Sequence, residues 1–165
     1  MQTATRPHRP VSEAAADFLD RRRIAVTGVT RKQEGHGANV VYERLRERGY
    51  EVFAVNPNAE TVAGDRCYPD LRSIAGGVEA VVIGTAPEHA EATVRECVEL
   101  GIGQVWMHRS LAGSSVSAEA AAYGREHGLE VIAGGCPLMF GAVSDGGHRA
   151  MRWICQLTGA APRRV

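Results

Sequence analysis

The sequence predicts a single α/β domain with a doubly wound parallel sheet and helices on both faces. Short apolar runs alternate with amphipathic segments from Arg23 to the end of the chain. This alternation is typical of parallel strands joined by helical crossovers. The apolar runs are too short for core helices, which favours buried strands. A length of 165 residues suggests one domain with a substantial core.

The amino-terminal stretch "MQTATRPHRP" is polar and contains no apolar run, so it predicts a tail and not a secretion signal. "VSEAAADFLD" then predicts a short helix with Ser12 as its N-cap. We assign residues 1–21 to this tail and helix, residues 22–160 to the α/β domain, and residues 161–165 to a second tail.

The next three elements follow from their apolar patterns. "RRIAVTG" predicts the first core strand. "GANVVYERLRERG" predicts a helix that buries Val40, Val41 and Leu45 and ends at Gly49. "YEVFAVNPN" predicts the second strand, which the pair Asn56-Pro57 terminates.

The middle of the chain continues the alternation. "AETVAGDRCYPDLRSIAGG" predicts a connection with turn residues and one short strand or turn of helix. "VEAVVIGTAP" predicts a strand, and "PEHAEATVRECVELG" predicts a helix with Pro87 in its first turn. "IGQVWMH" predicts a further strand.

The last elements are a helix, a strand, a loop and a helix. "SAEAAAYGREHG" predicts a helix with a serine cap, "LEVIAGG" the last strand, and "CPLMFGAVSDGG" a loop. The final helix, "GHRAMRWICQLTG", is predicted to have Asp145 as a plain N-cap. Its predicted buried face contains Met151, Ile154, Cys155 and Leu157.

Charge and cysteine usage narrow the function classes. The net charge is zero and the pI about 7.0, which gives no general attraction to nucleic acid or to an anionic membrane. An anionic ligand must therefore be bound by local donors. The four cysteines form no C-x-x-C pair and no apolar run is long enough to cross a bilayer, so we expect free thiols in a cytoplasmic protein.

A ligand of an open α/β sheet binds beyond the carboxyl ends of the strands, where the strand order switches. Five segments rich in Gly, Pro, Asn or Thr follow predicted strands. They are residues 28–37, 56–58, 84–89, 108–111 and 134–140.

The first of these segments, "GVTRKQEGHG", has the features of a phosphate loop. Its glycines allow backbone N–H groups to approach an anion, and the N-terminus of a helix follows. Thr30, Arg31 and Lys32 add a hydroxyl and two cations. The alternative is that Gly28 and Gly37 only permit a tight turn and close packing between helix and strand.

The second segment bears on the choice of cofactor. NAD-binding proteins usually place Asp or Glu at the end of the second strand, where this chain has the neutral Asn56. Glu60 lies beyond the turn, and Arg66, the cation an NADP site would need, lies still farther along. These features weaken an NAD(P) interpretation, although "NPN" is equally compatible with a plain turn.

The third segment, "IGTAPEHA", offers two interpretations. Its small residues would let an extended ligand cross the sheet edge. Helix capping assisted by Thr85, with Pro87 in the first turn, explains the same residues.

The motifs "IAVTGVTR", "GYEVFAVNPN", "GDRCYPDL" and "VVIGTAPEHAEATVRECVELGIGQVWM" resemble those of small stand-alone CoA-binding proteins. These proteins are similar to the N-terminal CoA-binding domain of the succinyl-CoA synthetase alpha subunit, and the resemblance spans residues 22–140. It implies a Rossmann-like fold that binds CoA or an acyl-CoA. The implied contact residues are Gly28, Val29, Thr30, Arg31, Gly35, His36, Asn56, Pro57, Asn58, Thr85, Ala86 and Pro87.

CoA agrees with the residues themselves, because its pyrophosphate suits the glycine loop and its 3′-phosphate favours donors over a carboxylate. The chain departs from the resembled pattern at "HRSLAG", where His108 and Arg109 could meet a phosphate or an acyl carboxylate or lie on the surface.

The resemblance also implies that the phosphohistidine and nucleotide-grasp domains of CoA ligases lie outside this module, so we expect binding without ligation. Cys136 is interpreted as an unreactive small hydrophobe, with a mixed disulfide to CoA as the alternative. A metal site of His108, Cys136 and His148 is disfavoured because the histidines lack paired ligand spacing.

Three function classes follow from these observations. We expect a CoA or acyl-CoA binding module, with no nucleic acid or membrane partner, that forms a homodimer through its first and last helices or acts with a partner enzyme. An NAD(P)-binding oxidoreductase or redox sensor is the alternative, and a non-binding interaction scaffold is the third.

Overall fold

The computed structural model describes residues 9–32, 37–110, 113–144 and 146–165. The helices are α1 (Val11–Leu19), α2 (Gly37–Glu47), α3 (Pro87–Leu100), α4 (Ala118–Glu126) and α5 (Gly146–Leu157). The strands are β1 (Arg23–Thr27), β2 (Glu51–Val55), β3 (Thr61–Val62), β4 (Asp65–Tyr68), β5 (Ala80–Ile83), β6 (Gln104–Met107), β7 (Arg109–Ser110), β8 (Gly113–Ser114) and β9 (Glu130–Ala133).

Seven of the strands in the described residues form one sheet, in the order β3-β4-β2-β1-β5-β6-β9. All neighbours are parallel except β3 and β4. The register aligns Thr27 with Val55 and Ile83, Ile83 with Met107, and Met107 with Ala133. The carboxyl ends of these five parallel strands, and of β4, whose Tyr68 lies opposite Val55, therefore share one edge, and the order reverses between β1 and β5, as predicted for a doubly wound sheet.

Helices cover both faces of this sheet. One core contains buried side chains of α1, α2 and α5, and a second core contains those of α3 and α4. Trp106 on β6 is fully buried in the first core, with ring centroids 5.4 Å from both Phe18 and Phe140. Its indole N–H donates to the Gly134 carbonyl over 3.0 Å, so the largest core side chain is also satisfied as a donor.

Capping and terminating residues predicted several helix ends correctly. Gly49 and Gly101 adopt φ of 83° and 71° after α2 and α3, the left-handed conformation that ends helices at glycine. Ser117 caps α4 by accepting from the Ala120 N–H at 3.2 Å. The prediction for Ser12 was wrong, because α1 begins at Val11 with Pro10 as its N-cap.

The connection after β2 contains more structure than predicted. β3 and β4 form a short antiparallel pair, and β4 then extends the main sheet by pairing in parallel with β2. Ala54 lies opposite Cys67 in that pairing, and Val55 lies opposite Tyr68. Strands of two and four residues carry too little periodicity to be recognised, and their stability comes from β2.

The buried faces of α2 and α5 differ from the predictions. Val41 and Leu45 are buried on α2, but Val40 is 45% exposed. On α5, Cys155 is buried and Met151 is half-buried, while Ile154 and Leu157 are exposed.

The side chains of Ala150, Trp153, Ile154 and Leu157, at helical spacing, form an exposed apolar stripe on α5. The segment before α5 forms two 3₁₀ turns, Pro137–Met139 and Gly141–Val143, instead of a plain loop. The predicted cap Asp145 lies outside the described residues.

The two ends of the described chain are hydrogen-bonded to each other. Pro10 forms a β-bridge with Arg164, the Val11 N–H donates to the Arg163 carbonyl over 3.0 Å, and the Val165 N–H donates to the Arg9 carbonyl over 3.2 Å. Across the described ranges, we find no helix with both the length and the apolar character that a membrane span requires.

Candidate ligand-binding site

Gly28, which follows β1, and Gly37, which begins α2, lie against the ends of β5 and β6 with little free space. Gly28 has a φ of 79°, and a Cβ added there would lie 2.6 Å from the Gly84 carbonyl carbon and oxygen. A Cβ added at Gly37 would lie 2.4 Å from the Cε1 atom of His108. Close packing therefore explains both glycines without a ligand. Gly35 and His36 lie outside the described residues.

Asn39, on the first turn of α2, fixes the same loop. Its Oδ1 accepts from the Thr30 N–H at 2.9 Å, and its Nδ2 donates to the Thr30 carbonyl over 2.6 Å. Asn39 is buried, whereas Arg31 and Lys32 are exposed next to the clamped backbone. Sequence reasoning missed Asn39, although a polar residue on the buried stripe of a helix is a usable signal.

Asn56 is used mainly to build its own turn. Its Nδ2 donates to the Val29 carbonyl over 2.9 Å, and its Oδ1 accepts from the Asn58 N–H at 2.9 Å. The side chain thus joins the loop after β1 to the loop after β2. Pro57 and Asn58 are exposed beside it.

A cleft of about 710 Å³ lies over the ends of β1, β2 and β4. Arg31 and Arg66 both line it, together with Pro57, Asn58 and the carboxylate-bearing Glu60. The Arg66 guanidinium carbon lies 5.0 Å from the centre of the Tyr68 ring. Arg66 lies far along the chain from the end of β2, but the pairing of β4 with β2 brings it to the cleft. We call this space the basic cleft.

Thr85 has a buried hydroxyl that lacks a hydrogen-bond partner within the described part of the chain. Ala86, not Thr85, is the N-cap of α3, it makes no side-chain cap, and Pro87 follows it. The capping explanation of Thr85 was therefore wrong. An unsatisfied buried hydroxyl costs about 1–3 kcal/mol, and a ligand or ordered water at the sheet edge would remove that cost.

A second cavity, of about 250 Å³, lies at the same edge between α2 and α5. Its lining includes Gly37, Val40, His108, Cys136, Met139 and Met151. We call it the α5 cavity. Gly37, the first residue of α2, lines this cavity, whereas Arg31 lines the basic cleft.

Two titratable groups in the α5 cavity are held uncharged by burial. Desolvation lowers the pKa of His108 to about 4 and raises the pKa of the Cys136 thiol to about 12. A neutral imidazole offers no positive charge to a phosphate, and a protonated thiol behaves as the small hydrophobe predicted for Cys136. His108 is buried, so the surface interpretation was wrong for it, whereas Arg109 is exposed.

His108, Cys136 and His148 line this one cavity, as sequence analysis considered for a metal site. Within the described ranges, however, no three His, Cys, Asp or Glu side chains are arranged to hold a metal ion. All four cysteines are buried and free, in agreement with the predicted thiols.

The fold and this site together define a Rossmann-like α/β domain with a basic cleft at the carboxyl edge of its sheet. The predicted segments after β1, β2 and β5 do meet at that edge. The chain belongs to the CoA-binding domain family, whose model matches residues 22–142.

Several known proteins are similar to this chain. The ADP-forming acetate–CoA ligase II of Archaeoglobus fulgidus is 28% identical over 88 residues, which are 52% of this chain and 13% of the ligase. The protein YneT of Bacillus subtilis is 26% identical over 124 residues, covering 74% of this chain and 88% of YneT. A solved structure, a hypothetical protein from Pyrococcus horikoshii, is 29% identical with a TM-score of 0.70, covering 84% of this chain and 94% of that one.

The chain spans only a small part of the ligases it matches, 13% of the one named above and 17% of the ADP-forming acetate–CoA ligase I of the same organism. Their activity therefore does not transfer to this chain from similarity alone.

Proposed function

We propose that this chain binds CoA or an acyl-CoA across the carboxyl edge of its sheet and carries out no ligation by itself. The observation that carries the proposal is the meeting of Arg31 and Arg66 at the basic cleft of a CoA-binding family domain. Because the whole chain has no net charge, these two local cations supply the attraction for an anionic nucleotide.

The residues at the edge suit the chemical groups of CoA. Arg31 and Arg66 are proposed to meet its phosphates, since guanidinium groups pair well with phosphate oxygens. The backbone of residues 28–31, fixed by Asn39, is proposed to donate to the pyrophosphate, together with the undescribed Gly35 and His36. Thr85 offers a buried hydroxyl that awaits a partner.

The charge of the basic cleft favours CoA over NAD. Glu60, the carboxylate nearest to the end of β2 in the sequence, lines the cleft together with Arg31 and Arg66. The lining therefore has an excess of positive charge. A 3′-phosphorylated ribose benefits from that excess, whereas a free ribose diol would need an acidic acceptor at the strand end.

We further propose that the chain acts with a second protein, either another copy of itself or a partner enzyme. The exposed α5 stripe supports this part, since Trp153 is 67% exposed and Leu157 is 61% exposed. The larger apolar side chains of α1, Val11, Phe18 and Leu19, are buried and offer no such surface. Light scattering after size-exclusion chromatography, with and without Trp153→Gln, distinguishes a homodimer from a monomer that awaits another partner.

Thermal shift and calorimetry with CoA, dephospho-CoA, NAD, NADH and NADPH test the binding proposal. A ligand at 100 times its Kd stabilises the fold by about 2.7 kcal/mol, so CoA should raise the Tm clearly. Losing one charge-assisted hydrogen bond costs about 1.5–3 kcal/mol, so Arg66→Ala or Arg31→Ala should weaken CoA binding roughly 10- to 100-fold.

Arg95→Ala is the matched control, because Arg95 is an exposed arginine on α3 that pairs with Glu91 away from the cleft. It should bind CoA like the unmodified chain. Stabilisation by NADH without CoA would contradict the proposal and favour the oxidoreductase alternative. No response to any of the five compounds would favour the scaffold.

A further inference from the structure

The α5 cavity is left unused by the nucleotide end of the proposed ligand. Its surface is apolar, with Met139 and Met151 providing adaptable side chains. None of its described lining residues is Lys, Arg, Asp or Glu. A cavity of this kind favours a hydrocarbon group and disfavours a charged one.

The two spaces lie at opposite ends of one path along the sheet edge. The basic cleft borders β4, and the α5 cavity borders the end of β6 through His108. Four strand spacings of about 4.8 Å separate β4 from β6, or roughly 19 Å. Arg31, four residues after β1, lines the cleft, and Gly37, at the start of α2, lines the cavity.

An elongated ligand with an anionic nucleotide at one end and an apolar group at the other would fit both spaces at once. CoA thioesters have that form, because a long arm joins the phosphorylated nucleotide to the acyl sulfur. We propose that the α5 cavity receives the apolar acyl group of a CoA thioester. This inference rests on the proposed function and specifies its substrate class.

The cavity also limits which acyl groups are accepted. One water molecule occupies about 30 Å³ in liquid water. The cavity volume of about 250 Å³ therefore corresponds to roughly eight groups of that size. A chain of up to about eight carbons is therefore accommodated. A dicarboxylic acyl group is disfavoured, because its second carboxylate would enter a cavity lined mainly by apolar side chains and without Lys or Arg among its described lining residues.

Val40 gives a way to block the cavity without disturbing the core. It lines the cavity and is 45% exposed, so a larger side chain is tolerated there. Leu100 on α3 is 42% exposed and belongs to the opposite face, which makes Leu100→Trp the matched control for Val40→Trp.

Calorimetric Kd values for CoA and for butyryl-, hexanoyl-, octanoyl- and succinyl-CoA test the inference. Each buried methylene should tighten binding by up to about fourfold, so octanoyl-CoA should bind far more tightly than CoA, and succinyl-CoA no better than CoA. Val40→Trp should remove the gain from the acyl chain while the Kd for CoA stays unchanged. Leu100→Trp should leave every value unchanged.

Equal Kd values for CoA and octanoyl-CoA would overturn the inference and leave the proposed function intact. A chain-length gain that Val40→Trp leaves unaltered would also overturn it, since the acyl group would then bind elsewhere. Free octanoate binding as tightly as octanoyl-CoA would identify a fatty-acid site and not a thioester site. Failure of CoA and every thioester to bind would refute the proposed function and the inference together.

Discussion

Burial of His108 makes the fold sensitive to mild acid. The pKa of His108 falls from about 6.5 to about 4 because the imidazole is desolvated beside the α5 cavity. The unfolded chain takes up a proton near pH 6.5, whereas the folded chain resists protonation until about pH 4. The contribution of this residue to stability is therefore fully present above pH 6.5 and is lost as the pH falls from 6.5 to 4.

The size of the effect follows from the shift. A displacement of about 2.5 pKa units corresponds to about 3 kcal/mol when fully expressed, of which about 2 kcal/mol is lost between pH 7 and pH 4.5. Urea denaturation at these two pH values measures the loss directly. His108→Gln removes the titrating group. Between pH 7 and pH 4.5, the free energy of unfolding of this variant should therefore fall by about 2 kcal/mol less than that of the unmodified chain.

His89→Gln is the control, because His89 is an exposed histidine on α3. Acidic side chains titrate alike in all three proteins, so the difference between them isolates His108. Should the three proteins lose stability in parallel between pH 7 and pH 4.5, the buried neutral imidazole would be ruled out as the cause.

Further predictions concern packing and local hydrogen bonds. Gly84→Ala should destabilise the fold by about 1–3 kcal/mol in urea titration, because the new Cβ would lie 2.5 Å from a side chain of α2; Gly103→Ala, with nothing within 4 Å, should cost far less. Asn39→Ala should cost about 2 kcal/mol through its two lost hydrogen bonds, and an unchanged urea midpoint would show that the loop does not depend on this clamp. Ser117→Ala should lower the free energy of unfolding by about 1 kcal/mol in urea or thermal denaturation, because the N-cap of α4 is lost. Ser12→Ala, inside α1, should cost nothing, and equal effects of the two serines would contradict the assigned caps.

Sequence patterns were sufficient where a segment was long enough to show its period. The strands ending at Thr27, Val55, Ile83 and Met107 were all predicted, because each contains a short apolar run, and a glycine or asparagine follows the first three. The edge at which the ligand segments gather then followed from parallel topology alone.

The wrong predictions occur where distant parts of the chain decide the outcome. Arg66 lines the basic cleft because β4 pairs with β2. A strand of four residues, such as β4, contains no local pattern that predicts this pairing. Thr85 has the right residue type for capping, and only the backbone geometry at Ala86 shows that it does not cap.

The last helix illustrates a different limit. The prediction placed Met151, Ile154, Cys155 and Leu157 on one buried face, but Ile154 and Leu157 are exposed, because periodicity does not say what covers a helix face. Cys155 lies against the core, whereas Ile154, one residue earlier, is 48% exposed.

The pairing of the two ends of the described chain has a consequence for its local unfolding. The segments around Pro10 and Arg164 supply each other's backbone partners, so neither can fray while the other stays in place. The amide hydrogens of Val11 and Val165 should therefore exchange with solvent at a common rate. Proteolytic removal of either segment would loosen the other, and the two ends would respond to damage as one unit.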